Sequence, residues 1–186
     1  MVCSGKNAFT LIELIMVIAI IGILSVSGAW LMAYFVKDSV YIPNQLNTDM
    51  AASDALKIMI EGDNQAKGLR FIRLINAIPN NNQITFTNQD NQSISYRLDA
   101  SANKLYRSVS GAAEAQIPYY AGGNVNIMGR SGALFTCYDV NEAVTAVPAN
   151  VRRIAVNLIA STGSGSYQDW QGQSAQGSSI TVDKFQ

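Results

Sequence analysis

Residues 8–24 read AFTLIELIMVIAIIGIL, and the apolar character continues through SVSGAWLMAYFV to Val36. From Leu11 to Val36 the only charged residue is Glu13. At 1.5 Å per residue a helix over Leu14–Val36 covers roughly 35 Å, enough to cross a bilayer core with some tilt. A signal-peptide core is shorter, about 7–15 apolar residues, and ends at a small-residue cleavage site. Here Lys37 and Asp38 follow the run directly, so a membrane-spanning helix is expected. Ahead of Phe9 lie the amino terminus and Lys6, with no acid. Cationic flanks stay in the cytoplasm, which directs the body from Lys37 onward outward, in a bacterium to the periplasm.

Composition narrows the function. The chain has 186 residues, 13 Lys+Arg against 13 Asp+Glu, and no histidine. A zero net charge excludes an electrostatic nucleic-acid binder, which needs a basic stripe to displace counterions. Without histidine the usual general base near neutral pH, the imidazole metal ligand and His-dependent triads are gone. Two cysteines, Cys3 and Cys137, cannot build a four-ligand zinc site. Gly62–Gly68 superficially resembles a phosphate loop but lacks the Gly-Lys-Ser/Thr order, so it reads as a helix-terminating turn. Gly163-Ser164-Gly165 lacks the third glycine of a dinucleotide fingerprint. Asp139, Glu142 and Asp169 are the acids to weigh for calcium, yet they lack the dense oxygen-ligand spacing of a calcium loop. With no nucleophile–base pair in view, no enzyme, cofactor or metal site is expected.

Glu13 is the exception inside the apolar run. A carboxylate in hydrocarbon costs on the order of 3 kcal/mol on insertion scales, so it needs a partner, a purpose or a place at the headgroup boundary. The segment AFTLIELIMVIAIIGIL resembles the amino-terminal signature of type IV prepilins and the pseudopilins of type II secretion. That resemblance implies a basic leader removed on the cytoplasmic side by a prepilin peptidase, which also methylates the new terminal residue. Carried over, the cut falls between Ala8 and Phe9, Phe9 is the methylated terminus, and Glu13 is the acid four residues beyond it. The family usually has Gly before the cut, where this chain has Ala8. Cutting after Gly5 would leave Lys6-Asn7-Ala8 ahead of Phe9 and displace the acid. The Ala8–Phe9 bond keeps the spacing. In a filament the terminal ammonium of an incoming subunit can neutralise Glu13, and a wrong axial register leaves both charges unpaired, which makes Glu13 a registry device.

The implied order is a leader (1–8), a transmembrane and assembly helix (9–36), the outer half of the helix (37–62) and an α+β globular domain with an antiparallel sheet (63–186). Beyond Val36 the helical pattern continues, and Pro43 should kink or break it. Gly22 and Gly28 are further points of helix flexibility. Leu46, Met50, Leu56 and Ile60 share one face and are expected to meet the core. Leu69–Ile75 fits neither helix nor strand period cleanly and stays open between them. Ile84/Phe86 and Ile94/Tyr96/Leu98 alternate with polar residues across Asn/Asp-rich turns, the pattern of antiparallel hairpins, with Lys104–Val109 following. Further strands are expected at 124–128, 133–138, 152–160 and, briefly, 180–183. Residues 161–179, rich in Gly, Ser and Gln, read as a mobile surface loop. Trp170 within it serves either as a contact anchor or by folding back onto the sheet. The amphipathic helix covers the half-buried sheet. The result is an α+β fold of the ladle-like pilin type.

Cys3 falls in the leader, leaving Cys137 with no intramolecular partner. Major pilins often close a carboxy-terminal disulfide and carry a helix-kinking proline where this chain has Trp30, so the resemblance points to a minor pilin or pseudopilin. Ser95–Ser108 (SYRLDASANKLYRS) and Val151-Arg152-Arg153-Ile154 are similar to the sheet region of larger minor pseudopilins. The aromatic set Phe9, Trp30, Tyr34, Phe35 and Tyr41 is assigned to helix packing rather than electron transport. The partners implied are other pilin or pseudopilin subunits, the prepilin peptidase, an inner-membrane assembly platform and, before assembly, lipid; no nucleic acid is expected. The rival from another class is a single-pass, membrane-anchored periplasmic binding module that does not polymerise.

Overall fold

The computed structural model describes residues 10–118, 125–164 and 170–182. Cys3, Gly5, Lys6, Asn7, Ala8, Phe9, Gly165 and Asp169, all named above, lie outside the described residues, as do position 124 and position 183 of the expected strands. The chain divides into two units, the first ending at Val40 and the second beginning at Tyr41. One helix, α1, runs Leu11–Ile60. In the first unit its apolar side chains are exposed all round. Ser25 and Ser27 donate back to the carbonyls of Ile21 and Ile23 at 2.7 and 3.0 Å, so neither hydroxyl is left without an acceptor in apolar surroundings.

In the second unit α1 leads into two antiparallel sheets. The first is the meander β1 (Ile72–Asn80), β2 (Gln83–Asn88), β3 (Ser93–Asp99), β4 (Lys104–Val109) and β5 (Ala115–Ile117). The second holds β6 (Asn126–Gly129), β7 (Phe135–Tyr138), β8 (Arg153–Thr162) and β9 (Gly172–Thr181). β6 and β7 pair with successive stretches along one side of β8, and β9 pairs along the other. The alternation in β2–β4 does what a half-buried sheet requires: Ile84, Phe86, Ile94, Tyr96 and Leu105 are fully buried, with polar neighbours facing out. Ile154, Val156, Leu158 and Ala160 of β8 are likewise all buried. The α+β architecture, a long amino-terminal helix with its later turns packed on antiparallel sheet, is the expected one.

Three local expectations are corrected, and one left open between helix and strand is resolved. The helix is not broken at Pro43 but continues through it. Pro43 and Ser39 are both exposed, so water can reach the carbonyl that proline leaves without a donor. Of the expected core face of α1, Leu56 and Ile60 are half-buried against the core, but Leu46 and Met50 are 57 % and 49 % exposed and do not belong to it. The fully buried face is Thr48, Ala51, Ala52, Ala55 and Met59, mostly small residues that let the helix approach closely. Leu69–Ile75 is a 3₁₀ turn, Leu69–Phe71, that opens directly into β1. The largest revision concerns residues 161–179. Most of the second half of that expected loop belongs to β9, paired with β8 through ten consecutive residues from Gly172↔Thr162 to Thr181↔Arg153. The reason lies in space rather than hydropathy. A Cβ on Gly172 would sit 2.6 Å from backbone atoms of Asn44. The strand passes under the helix and is built of small residues there, which erases the apolar alternation.

Candidate functional site

The segment with functional character begins where α1 begins. Thr10 precedes the first helical residue, and Glu13 stands in the first turn. The Glu13 amide donates to Thr10 Oγ1 at 3.3 Å, while the Thr10 amide donates to Glu13 Oε2 at 2.9 Å. The Thr10 hydroxyl also donates to Oε2, at 3.0 Å. This is a capping box, in which two otherwise unpaired amides at the helix start are satisfied reciprocally. The Thr-x-x-Glu spacing in Thr10–Glu13 was the signal for it, and it escaped a reading that treated the acid as isolated. The carboxylate therefore holds a local hydrogen-bonded position within its own chain and also stabilises the positive end of the helix dipole.

From Leu11 to Val36 the helix presents apolar side chains in every direction: Leu11 is 76 % exposed and Val26 73 %. It is long and apolar enough to cross a membrane. Trp30 and Tyr34, one turn apart, meet edge to face with ring centroids at 4.6 Å. Gly22 and Gly28 have open space where a Cβ would stand, so no packing among the described residues demands glycine at either position. Such a surface is stable only against lipid or other apolar helices.

The residues weighed for other chemistry have structural partners. Asp63, in the turn once compared with a phosphate loop, makes a bidentate pair with Arg107 at 2.9 Å on each oxygen. Gly62 takes φ +90° and Gly68 lies where a Cβ would strike the carbonyl of Met59, which explains both glycines as parts of the turn ending α1. Asp139 accepts from the amides of Asn141 and Ala143, closing its own loop. Glu142 is paired with Arg153, whose guanidinium lies 3.9 Å from the Tyr138 ring centroid. Among the described residues no group of three or more His, Cys, Asp or Glu is arranged to hold a metal. Cys137 is a free, buried thiol, and desolvation pushes it up to about 11, away from the thiolate that reacts.

No curated protein and no solved structure matches this chain. A family model does: residues 3–29 match the Prokaryotic N-terminal methylation motif, the stretch that holds Ala8, Phe9, Thr10 and Glu13 and reaches past Gly28. The motif implies processing by a prepilin peptidase and association with other pilin subunits, and with the apolar helix it fits membrane anchoring of a globular domain. The chain thus carries a prepilin-type N-terminal methylation motif, consistent with the type IV pilin and pseudopilin family.

Proposed function

We propose that this protein is a structural subunit, a minor pilin or pseudopilin, of a type IV pilus-like filament of the kind that serves type II protein secretion. The observation that carries the reading is the methylation motif laid over a helix whose apolar residues face outward on every side. In this reading the prepilin spans the inner membrane once, amino terminus inside and globular unit in the periplasm. A prepilin peptidase cuts between Ala8 and Phe9 and methylates Phe9. The helix, helped by flexibility at Gly22, Gly28 and Pro43, then leaves lipid at an assembly platform to join the filament core, in a periplasmic pseudopilus or a surface pilus. Glu13 sets the axial register. A subunit of this kind needs no catalytic group or cofactor.

The capping box favours a second reading, in which Glu13 is only a helix cap on an anchored periplasmic module that does not polymerise. Two measurements separate the readings. Intact mass and amino-terminal sequencing of the membrane-extracted protein should give a chain beginning at methylated Phe9; a chain still beginning at Met1 in cells with active peptidase would sink the filament reading. Glu13→Gln keeps both capping hydrogen bonds and removes the charge. Loss of filament incorporation in Glu13→Gln, as in Glu13→Ala, is expected for a registry charge. Normal behaviour of Glu13→Gln alongside failure of Glu13→Ala would assign the residue to the cap alone.

A further inference from the structure

Only once in this chain does an Asn stand two places before a Ser or Thr, in Asn91-Gln92-Ser93. With no proline between them, that triplet is the acceptor pattern for N-linked glycan transfer, and the modification needs a surface position on an exported chain. The fold supplies the surface. Asn91 lies in the turn between β2 and β3, Ser93 is the first residue of β3, and both are exposed.

The turn keeps its shape without the two groups that a glycan transferase would read. The buried Asn88 shapes it: its side-chain oxygen accepts from the amides of Asp90 and Gln92 at 3.0 and 2.9 Å. The Asn88 carbonyl accepts from the Asn91 amide at 3.1 Å, and the Asn88 amide donates to the Gln92 carbonyl at 3.0 Å. Asn91 takes φ +59°, a left-handed backbone that Asn, Asp and Gly adopt readily. Its side-chain oxygen accepts from Nη1 of Arg73, which fixes the carboxamide by one end. Among the described residues the other end, Nδ2, has no acceptor, and the Ser93 hydroxyl has no partner. The left-handed backbone accounts for a short polar residue at 91. It does not account for an exposed, unpartnered hydroxyl two places on.

We propose that Asn91 is an N-glycosylation acceptor, served by an oligosaccharyltransferase on the outer side of the membrane with a lipid-linked oligosaccharyl pyrophosphate as donor. Nδ2 attacks the anomeric carbon of the first sugar. The new N–C bond forms as the bond from that carbon to the pyrophosphate oxygen breaks. The lipid pyrophosphate leaves with the electron pair, Nδ2 gives up one proton to a base on the transferase, and nothing is oxidised or reduced. Gln89 stands two places before Asn91, so the transferase implied reads the triplet without an acid ahead of it. A glycan on Nδ2 displaces no hydrogen bond of the turn and grows into solvent, so the modified chain keeps this fold. The inference rests on the outward placement of the globular unit, which both readings above share, and not on polymerisation.

The test uses the full chain extracted from its native membranes. Trypsin should release residues 74–97 as one peptide, and tandem mass spectrometry should find it carrying a sugar mass located on Asn91. Asn91→Asp, which tolerates the left-handed backbone and keeps the oxygen that Arg73 meets, should remove that mass. Ser93→Ala should remove it as well, with Asn91 still in place, whereas Ser93→Thr should retain it. Circular dichroism unchanged in the Ser93 variants separates loss of the acceptor pattern from loss of fold. An unmodified native peptide, a sugar that persists in Ser93→Ala, or a sugar located on a Ser or Thr of the same peptide would each overturn the inference. Protease digestion of spheroplasts, run alongside, tells two failures apart. An unmodified Asn91 on an accessible globular unit overturns the inference alone, and an inaccessible unit overturns the outward placement with it.

Discussion

Arg107 occupies a position on β4 that its neighbours' alternation assigns to a core side chain, and its side chain is 1 % exposed. It is tolerated because Asp63 meets both terminal nitrogens at 2.9 Å and Gln65 accepts a third hydrogen bond at 2.9 Å. Asp63 Oδ1 also accepts from the amide of Gln65, so one carboxylate shapes the turn after α1 and clamps it to the sheet. Removing one partner of a buried pair strands the other charge, so Asp63→Ala is expected to cost about 3–5 kcal/mol in denaturant unfolding. Arg107→Met, which removes the buried cation itself, should cost clearly less; equal losses would mean the pair acts mainly through packing. Asp99 lends itself to a pH test. The Ser101 hydroxyl first, then the amides of Ala102 and Ser101, hold its carboxyl down at about 2, below its ordinary 3.8. A depressed folded pKa adds stability that is complete above the unfolded value and fades as pH falls through the folded one. The Asp99 carboxyl resonance should therefore titrate near pH 2. In Ser101→Ala it should move toward 3.8, and an unmoved midpoint would remove the hydroxyl as the leading cause.

Where α1 and β9 cross, the elements are fitted by backbone rather than by apolar side chains. A Cβ on Gly172 would lie 2.6–2.7 Å from backbone atoms of Asn44 and Gln45, which cannot rotate aside. Gly172→Ala should therefore destabilise the second unit by about 1–3 kcal/mol, the usual cost of overpacking, read as a lowered denaturant midpoint. An unchanged midpoint would show that the crossing is loose. This crossing also marks the limit of what was legible beforehand. The hairpins β2–β3–β4 could be read because Ile84, Phe86, Ile94, Tyr96 and Leu105 alternate strictly over Asn-rich turns. Turns of this sheet do more than reverse the chain: the Asn81 carbonyl, in the β1–β2 turn, accepts from the Phe135 amide at 2.8 Å, and the Asn103 carbonyl, in the β3–β4 turn, from Ile127 at 2.8 Å, docking the second sheet on the first. Nothing local announces such a role. Nor could the sequence favour Ala51, Ala52 and Ala55 over Leu46 and Met50 as the core face, since hydropathy ranks by size while close approach selects smallness. At the amino terminus Glu13 stood out as the one charge in an apolar run. Its bond to Thr10 is also a sequence pattern, hidden by the attention that a lone acid attracts.

The two units place their apolar residues in opposite ways. Beyond Tyr41 they form one core, from Ala51 and Met59 of the helix through Phe86, Tyr96 and Phe135 to Ile154 and Val182, all buried. Before it, Ile12, Ile18, Leu24, Trp30 and Phe35 are each more than 60 % exposed. The first buried helix residue is Thr48, well inside the second unit. A chain of residues 37–186 keeps Asn44, Gln45 and the whole core, and gains Lys37 and Asp38 as a charged start. It should remain in the supernatant without detergent and unfold in a single transition, as compact domains of this size do. Its midpoint should lie within a few degrees of that of the same unit in the full chain held in detergent, whereas the full chain should require detergent throughout. A fragment that aggregates or lacks a near-ultraviolet circular dichroism signal would show that the apolar helix supports the globular unit as well as anchoring it, and would join into one folding unit what the contacts divide at Val40.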